Sequence, residues 1–168
     1  MPFRLMYKFI LPTLFLLVNQ ASAANVFTGI VSYVTDGDTL WVQPDSGEQP
    51  RKLRLEGIDA PEICQAGGEA AKAMLTQYAL YERVAVTVRL NDVYGRGLAR
   101  IRLKGVDLGA QIVLSGYAWS YRWRRSLGPY AHEESIARES HSGIFASGEA
   151  ELPGDFRKRH GSCYEMTR

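Results

Sequence analysis

Apolar and polar positions alternate along "VFTGIVSYVTDGDTLWV", from Val26 to Val42, and the alternation breaks at an Asp-Gly step. A period of two sends successive side chains to opposite faces of a sheet, and Asp-Gly is a strong turn signal, so this stretch predicts two strands joined as a hairpin. "PDSGEQP" predicts another turn, after which "RKLRLEGI" alternates again with Leu53, Leu55 and Ile58 directed inward. "APEICQAGG" predicts a loop. In "EAAKAMLTQYALY" the period changes, and Ala70, Met74, Leu75 and Tyr78 fall on one helical face. "RVAVTVRL" returns to strand spacing, and "NDVYGRGLARIRLKG" predicts a turn followed by a strand. "VDLGAQIVLSGYAW" predicts a short helix stopped at Gly116. Pro129, favoured in a first turn, and Gly143, a natural stop, bracket a last helix.

The pattern amounts to about five strands and three helices, strands early, without a regular strand-helix alternation. It predicts an α+β domain, mainly β, whose antiparallel sheet is closed or highly curved. No repeat or low-complexity linker divides residues 24–168, so one domain with a polar C-terminal tail after Pro153 is expected.

The first 23 residues carry a different pattern. Arg4 and Lys8 precede an apolar run from Phe9 to Val18, and Ala21-Ser22-Ala23 offers a small-residue cleavage site. The segment reads as a secretory signal peptide; the other reading, an uncleaved anchor, needs roughly 20 apolar residues to span a bilayer. No cysteine follows the run, which argues against a lipid anchor. The mature chain is expected to be secreted or periplasmic, monomeric and not stably attached to a membrane.

Charge then sharpens the picture. The formal net charge of the whole chain is +2, and both surplus basic residues lie in that leader, so the mature chain is formally neutral. Diffuse basicity therefore gives no argument for nucleic-acid binding. Local clusters must supply any such affinity.

Cys64 and Cys163 remain after cleavage. Their spacing is not that of a metal site, and in an oxidising compartment such a pair either forms a disulfide or stays as two buried thiols. A bridge would close a loop of roughly 100 residues, valued by chain entropy at about 4 to 5 kcal/mol. It would also tie the tail to the loop after Glu62.

Asp38 opens one expected strand, while Asp59 and Glu62 in "GIDAPE" follow another. Neighbouring strands would bring these carboxylates together, which is unfavourable unless cations offset them. A hard cation such as Ca²⁺ takes carboxylate, carbonyl and water oxygens, and the Ala60 carbonyl, restricted by Pro61, is a candidate donor. Arg54 and Arg96 are the other positive groups in these segments. Asp36 is read as a turn former rather than a ligand.

"VTDGDTLWV", "RLEGIDAPE" and "DVYGRGLARI", in this order and with a helix between the second and third, resemble the signature segments of the staphylococcal nuclease family. The similarity runs from about Val26 to Phe145. The resemblance implies a five-stranded OB-type Greek-key barrel with about three helices, and Ca²⁺-dependent hydrolysis of DNA and RNA to 3′-phosphate and 5′-hydroxyl ends. It implies Asp38, Asp59 and the Ala60 carbonyl as calcium ligands, with alanine where the family commonly has threonine. It implies Glu62 as general base, Arg54 and Arg96 as grips on the reacting phosphate, and Tyr94 near that phosphate. The chemistry is coherent: attack on a phosphodiester builds charge on nonbridging oxygens, which a cation and planar, permanently charged guanidinium forks offset.

The likeness thins in two places. Val93 stands where the family's type member has lysine, and Arg122 and Arg124 fall where it has two tyrosines that pack on the nucleotide. The surrounding "WSYRWRR" interleaves Trp119, Tyr121 and Trp123 with arginines. It reads either as a stacking and phosphate-binding surface, with Tyr121, Arg122, Trp123 and Arg124 on substrate, or as alternating core residues of a short strand. "RKRH" at 157–160 reads as a solvated tail. His132, His141 and His160 show no metal spacing. Two other functions stay open: a catalytically inactive OB-fold module that binds nucleic acid, and hydrolysis of some other exported phosphodiester.

Overall fold

The computed structural model describes residues 25–148, 150–161 and 163; the expected leader lies outside them. The expected hairpin is formed by β1 (Asn25–Val34) and β2 (Thr39–Pro44), and β3 (Arg51–Leu55) follows antiparallel to β2. β4 (Ile58–Asp59) leads through a loop into α1 (Gly68–Ala79). β5 (Arg83–Asn91) and β6 (Gly97–Leu103) form the second hairpin, and β7 (Val106–Asp107) enters α2 (Leu108–Leu114). β8 (Trp119–Ser120), α3 (Ala131–Glu139), a 3-10 turn at Gly143–Phe145 and α4 (Pro153–His160) complete the order.

Closure of the sheet follows from two pairings. β1 lies between β2 and β5, all antiparallel, and β3 pairs in parallel with β6, so β1-β2-β3-β6-β5 make a closed five-stranded barrel with α1 inserted between β3 and β5. This is the OB-type α+β architecture. Register shifts after Val31 in β1 and after Val88 in β5 supply the bends that closure needs. Val31, Leu40, Val42, Leu53, Leu55, Val84, Val86 and Ile101 fill the interior, and Leu75 and Ile112 cover it from the helices. Among the described residues, no helix is long and apolar enough to cross a membrane.

Four details differ from the sequence expectation. The buried stripe of α1 is Gly68, Ala71, Leu75 and Ala79, while Ala70 is exposed; Met74 and Tyr78 pack at its edge. The small residues win because the helix lies close against the barrel. The last expected helix, bracketed from Pro129 to Gly143, is shorter, and its Glu134 turns into the interior. Trp119 is buried, edge-on to Phe145 at 5.7 Å between ring centroids, whereas Tyr121 and Trp123 are exposed, so the "WSYRWRR" run is neither all core nor all surface. The tail is a fourth helix, α4, started by a buried Pro153.

Candidate active site

The loop between β1 and β2 is built by its own side chains. Asp36 Oδ1 accepts the Asp38 N–H at 3.1 Å, and Thr35 N–H closes on the Thr39 carbonyl at 2.9 Å, so Asp36 serves the turn as expected. Gly37 sits where an added Cβ would lie 2.7 Å from both the Ala60 and Ala71 methyls, which presses the loop onto α1 and the segment after β4. Asp38 is thereby 5% exposed. Its carbonyl accepts the Leu55 N–H at 2.8 Å, fixing the loop to β3.

Sheet register does the rest. Thr39 is the cross-strand partner of Arg54, and Leu53 is the partner of Gly97, next to Arg96. Asp38, Arg54 and Arg96 therefore meet at one end of the barrel. Arg54 bridges two carboxylates: Nη1 contacts Asp38 Oδ2, and Nη2 donates to Asp59 Oδ1 at 3.0 Å and to the Ile58 carbonyl at 3.3 Å. The Ala60 N–H donates to Asp38 Oδ2 at 3.3 Å, and Thr39 Oγ1 to Asp38 Oδ1 at 2.9 Å. Arg96 joins through Thr39 Oγ1, 3.4 Å from Nη1, while its Nε donates to Asp92 Oδ2 at 2.7 Å.

Glu62 enters through a residue the sequence reading had placed in solvent. Arg157, on α4, donates from Nη1 to Glu62 Oε1 at 2.7 Å and from Nη2 to Asp59 Oδ2 at 3.2 Å. The expectation of a loose, solvated "RKRH" run is thus corrected. The Cys64–Cys163 disulfide, with Cα atoms 5.8 Å apart, and a 2.7 Å hydrogen bond from Gln65 Nε2 to the Glu151 carbonyl dock the tail beside Glu62. A signal for this was present: the basic run lies just upstream of a cysteine whose expected partner is two residues beyond Glu62.

Electrostatics follow the contacts. Burial pushes the Asp38 carboxyl up, yet the Arg54 guanidinium and its hydrogen bonds outweigh that and hold it below the usual range. At Asp59 burial prevails over Arg54 and Arg157, and the carboxyl is raised. Burial also raises Asp36, to about 6, with help from the Asp38 charge. Burial opposes the charge on Arg54, but Asp38 and Asp59 reverse this and raise it.

Of the remaining expected site residues, Tyr94 borders this network, and Tyr121, Arg122, Trp123 and Arg124 lie on the segment after β8. Tyr94 is 81% exposed, with the Arg96 guanidinium 5.4 Å from its ring centroid. Arg122 Nη2 donates to the buried Glu134 at 2.6 Å; Arg124, at a backbone φ of 56°, is exposed. Thr39, which connects Arg96 to Asp38, was not singled out in the sequence.

Among the described residues, no group of three or more His, Cys, Asp or Glu side chains is gathered to hold a metal ion. Asp38 and Asp59 nevertheless converge on one positive group, Arg54, and their hard oxygens suit a hard cation whose shell is completed by carbonyls and waters. In this arrangement Arg54 supplies to both carboxylates the positive charge that such a cation would add to.

A closed OB-type barrel with an acid and guanidinium cluster at one rim defines a class of small hydrolase built on a nucleic-acid-binding fold. Residues 52–147 match the family described as staphylococcal nuclease homologue. An uncharacterized endonuclease of Haemophilus influenzae is 29% identical over 154 residues, covering 90% of this chain and 86% of that protein. The micrococcal nuclease of Shigella flexneri is 32% identical over 143 residues, covering 79% and 81%. A probable staphylococcal-like nuclease of rice, CAN2, is 29% identical over 107 residues, 64% of this chain but 29% of that longer protein. The chain belongs to the staphylococcal nuclease family and is an endonuclease of that class.

Proposed function

We propose that this chain is a calcium-dependent nuclease that acts outside the cytoplasm, hydrolysing DNA and RNA phosphodiesters to 3′-phosphate and 5′-hydroxyl ends. The observation that carries the proposal is the continuous set of contacts from Arg96 through Thr39, Asp38, Arg54 and Asp59 to Arg157 and Glu62 at one barrel end. Groups suited to phosphodiester chemistry lie within one network, and the family and relatives support nuclease activity.

Asp38, Asp59 and the Ala60 carbonyl would hold Ca²⁺, which when bound supplies a Lewis acid to a phosphoryl oxygen. Arg54 and Arg96 grip nonbridging oxygens as charge grows on them. Glu62 accepts a proton from the attacking water. The water oxygen bonds to phosphorus, the bond from phosphorus to the 5′-oxygen breaks, and that oxygen takes a proton from solvent, leaving the phosphate on the 3′ side. Tyr94, Tyr121 and Trp123 offer exposed ring faces to bases or sugars, and Arg122 and Arg124 offer charge to flanking phosphates. The leader at 1–23 and the disulfide support an exported chain.

Digestion of single-stranded DNA, duplex DNA and RNA tests this, with Ca²⁺, with chelator, and with Glu62→Gln. Cleavage should require Ca²⁺, leave 3′-phosphates, and fall by about 10²- to 10⁴-fold in the variant. Degradation that survives both chelation and Arg96→Ala would overturn the assignment, and binding without cleavage would favour a non-catalytic module.

A further inference from the structure

Arg157 is absent from the three segments that define the site, yet it touches two of the acids. From the geometry we infer that Arg157 is a third substrate-binding guanidinium, delivered to the site by a disulfide-tethered helix. The inference rests on the nuclease assignment above and adds a residue to it.

The first support is charge. Asp38, Asp59 and Glu62 place three carboxylates at one rim, and Arg54 balances one of them. Arg96 is already paired with Asp92. Before a cation binds, the three carboxylates and Arg54 leave two negative charges at this rim and Arg157 reduces them to one, so in either state it makes the rim more favourable to an anionic phosphodiester by one charge.

The second is geometry. Nη1 and Nη2 of Arg157 make the contacts to Asp59 and Glu62, which use at most three of the five guanidinium N–H donors. The side chain is 39% exposed, so the fork is in reach of solvent while it holds the two acids. The acids orient the fork, and the fork remains able to grip a phosphate oxygen.

The third is the tether. α4 is one short polar helix, and little apolar surface fixes it to the barrel. Beyond the buried Pro153, it is held by the Cys64–Cys163 bridge, by Gln65 on the Glu151 carbonyl, and by Arg157 itself. Cys64 lies two residues beyond Glu62, so the bridge anchors α4 beside the acids that Arg157 contacts.

The test measures equilibrium binding of a short single-stranded phosphorothioate oligonucleotide by fluorescence anisotropy, in Ca²⁺, across a range of salt, alongside digestion of ordinary DNA. Arg157→Ala should weaken binding about tenfold or more, the size expected for one charge-assisted contact. It should also flatten the slope of log K against log salt by about 0.7, the increment for one phosphate on a single strand. Arg157→Lys, which keeps the charge and loses the fork, should recover part of the binding, and it serves in place of the alanine variant if that fails to fold. Reduction of the disulfide should weaken binding by the wild type and leave Arg157→Ala unaffected. Unchanged or tighter binding by Arg157→Ala, or an equal loss on reduction in both proteins, would overturn the inference. A wild type that neither binds nor cleaves would instead remove the nuclease assignment on which it rests.

Discussion

Asp92 engages Arg96 with both carboxylate oxygens: Oδ2 accepts from the Arg96 Nε at 2.7 Å, while Oδ1 accepts the Arg96 and Tyr94 backbone N–H groups, each at 2.9 Å. One side chain thus shapes the turn between β5 and β6 and aims the arginine that follows it. Asp92→Asn keeps an oxygen for the turn and loses the charge on the guanidinium. Restraining an untethered arginine costs up to about 2 kcal/mol, so kcat/KM is expected to fall by roughly tenfold. Because the pair is partly exposed, the thermal midpoint at neutral pH should fall only by the small amount such an ion pair contributes. Steady-state digestion and melting of the same preparation check both halves.

The same carboxylate gives a pH signature. Burial pushes Asp92 up, but hydrogen bonds from the Arg96 side chain and from the Arg96 and Tyr94 backbones hold it below its ordinary value of 3.8. A carboxyl depressed in the folded state contributes stability that is present above its unfolded pKa and is lost as pH falls through the folded one. Denaturant titrations from about pH 5 downward should show a shallower acid loss for Asp92→Asn than for the parent. Parallel acid limbs would remove this role.

Most of the barrel was legible because its strands bury one face, and alternation at Val31, Leu40, Val42, Leu53 and Leu55 reports that directly. α1 was legible as a helix, but its inner face was set by close approach to the barrel, which periodicity does not encode; small residues at Gly68 and Ala71 were needed where larger ones looked more natural. α4 escaped because a short polar helix has no hydrophobic period, and its position depends on a covalent link to a distant loop. The acids and Arg54 could be read because register brings Thr39 opposite Arg54. Arg157 was missed, since its contact with Glu62 spans 95 positions with no regular structure in common and only the expected cysteine bridge pointed to it.

Arg54 is the hinge of the acid cluster, in contact with Asp38 and with Asp59. Arg54→Ala leaves two carboxylates, 5% and 8% exposed, side by side. Losing one partner of a buried ion pair typically costs about 3 to 5 kcal/mol, and each kcal/mol moves the midpoint of a chain this size by about 2 to 4 °C. The drop should be smaller in Ca²⁺ than in chelator, because the cation would replace part of the missing charge. Thermal melts in the two buffers give the comparison, and equal drops would argue against Asp38 and Asp59 as ligands.

The Cys64–Cys163 bridge closes a loop that holds β5, β6 and the helices α1 to α4, with a sequence separation of 99. Chain entropy values such a closure at about 4 to 5 kcal/mol. Cys64→Ser with Cys163→Ser should therefore lower the unfolding free energy by several kcal/mol, read from urea titrations. Hydrogen exchange should show α4 opening first, since its hold on the barrel is mostly that bridge and a few polar contacts.

Arg122 and Arg124 separate two kinds of contribution that the sequence presents as one basic run. Arg122 donates to Glu134, which is 3% exposed and also receives Arg138 at 2.7 Å and the Ser120 N–H at 2.9 Å. Removing Arg122 leaves that buried carboxylate short of one partner, though not bare, so a loss of about 1 to 3 kcal/mol is expected. Arg124 has a solvent-exposed side chain, so Arg124→Ala should leave the thermal midpoint within about 2 °C. Both changes should weaken single-strand binding and flatten its salt dependence, because each removes one cation beside the exposed rings of Tyr121 and Trp123. Stability separates the pair where binding does not. If Arg124→Ala leaves binding and its salt slope unchanged, the surface around Trp123 contributes nothing to substrate, and the phosphate contacts are confined to the barrel rim.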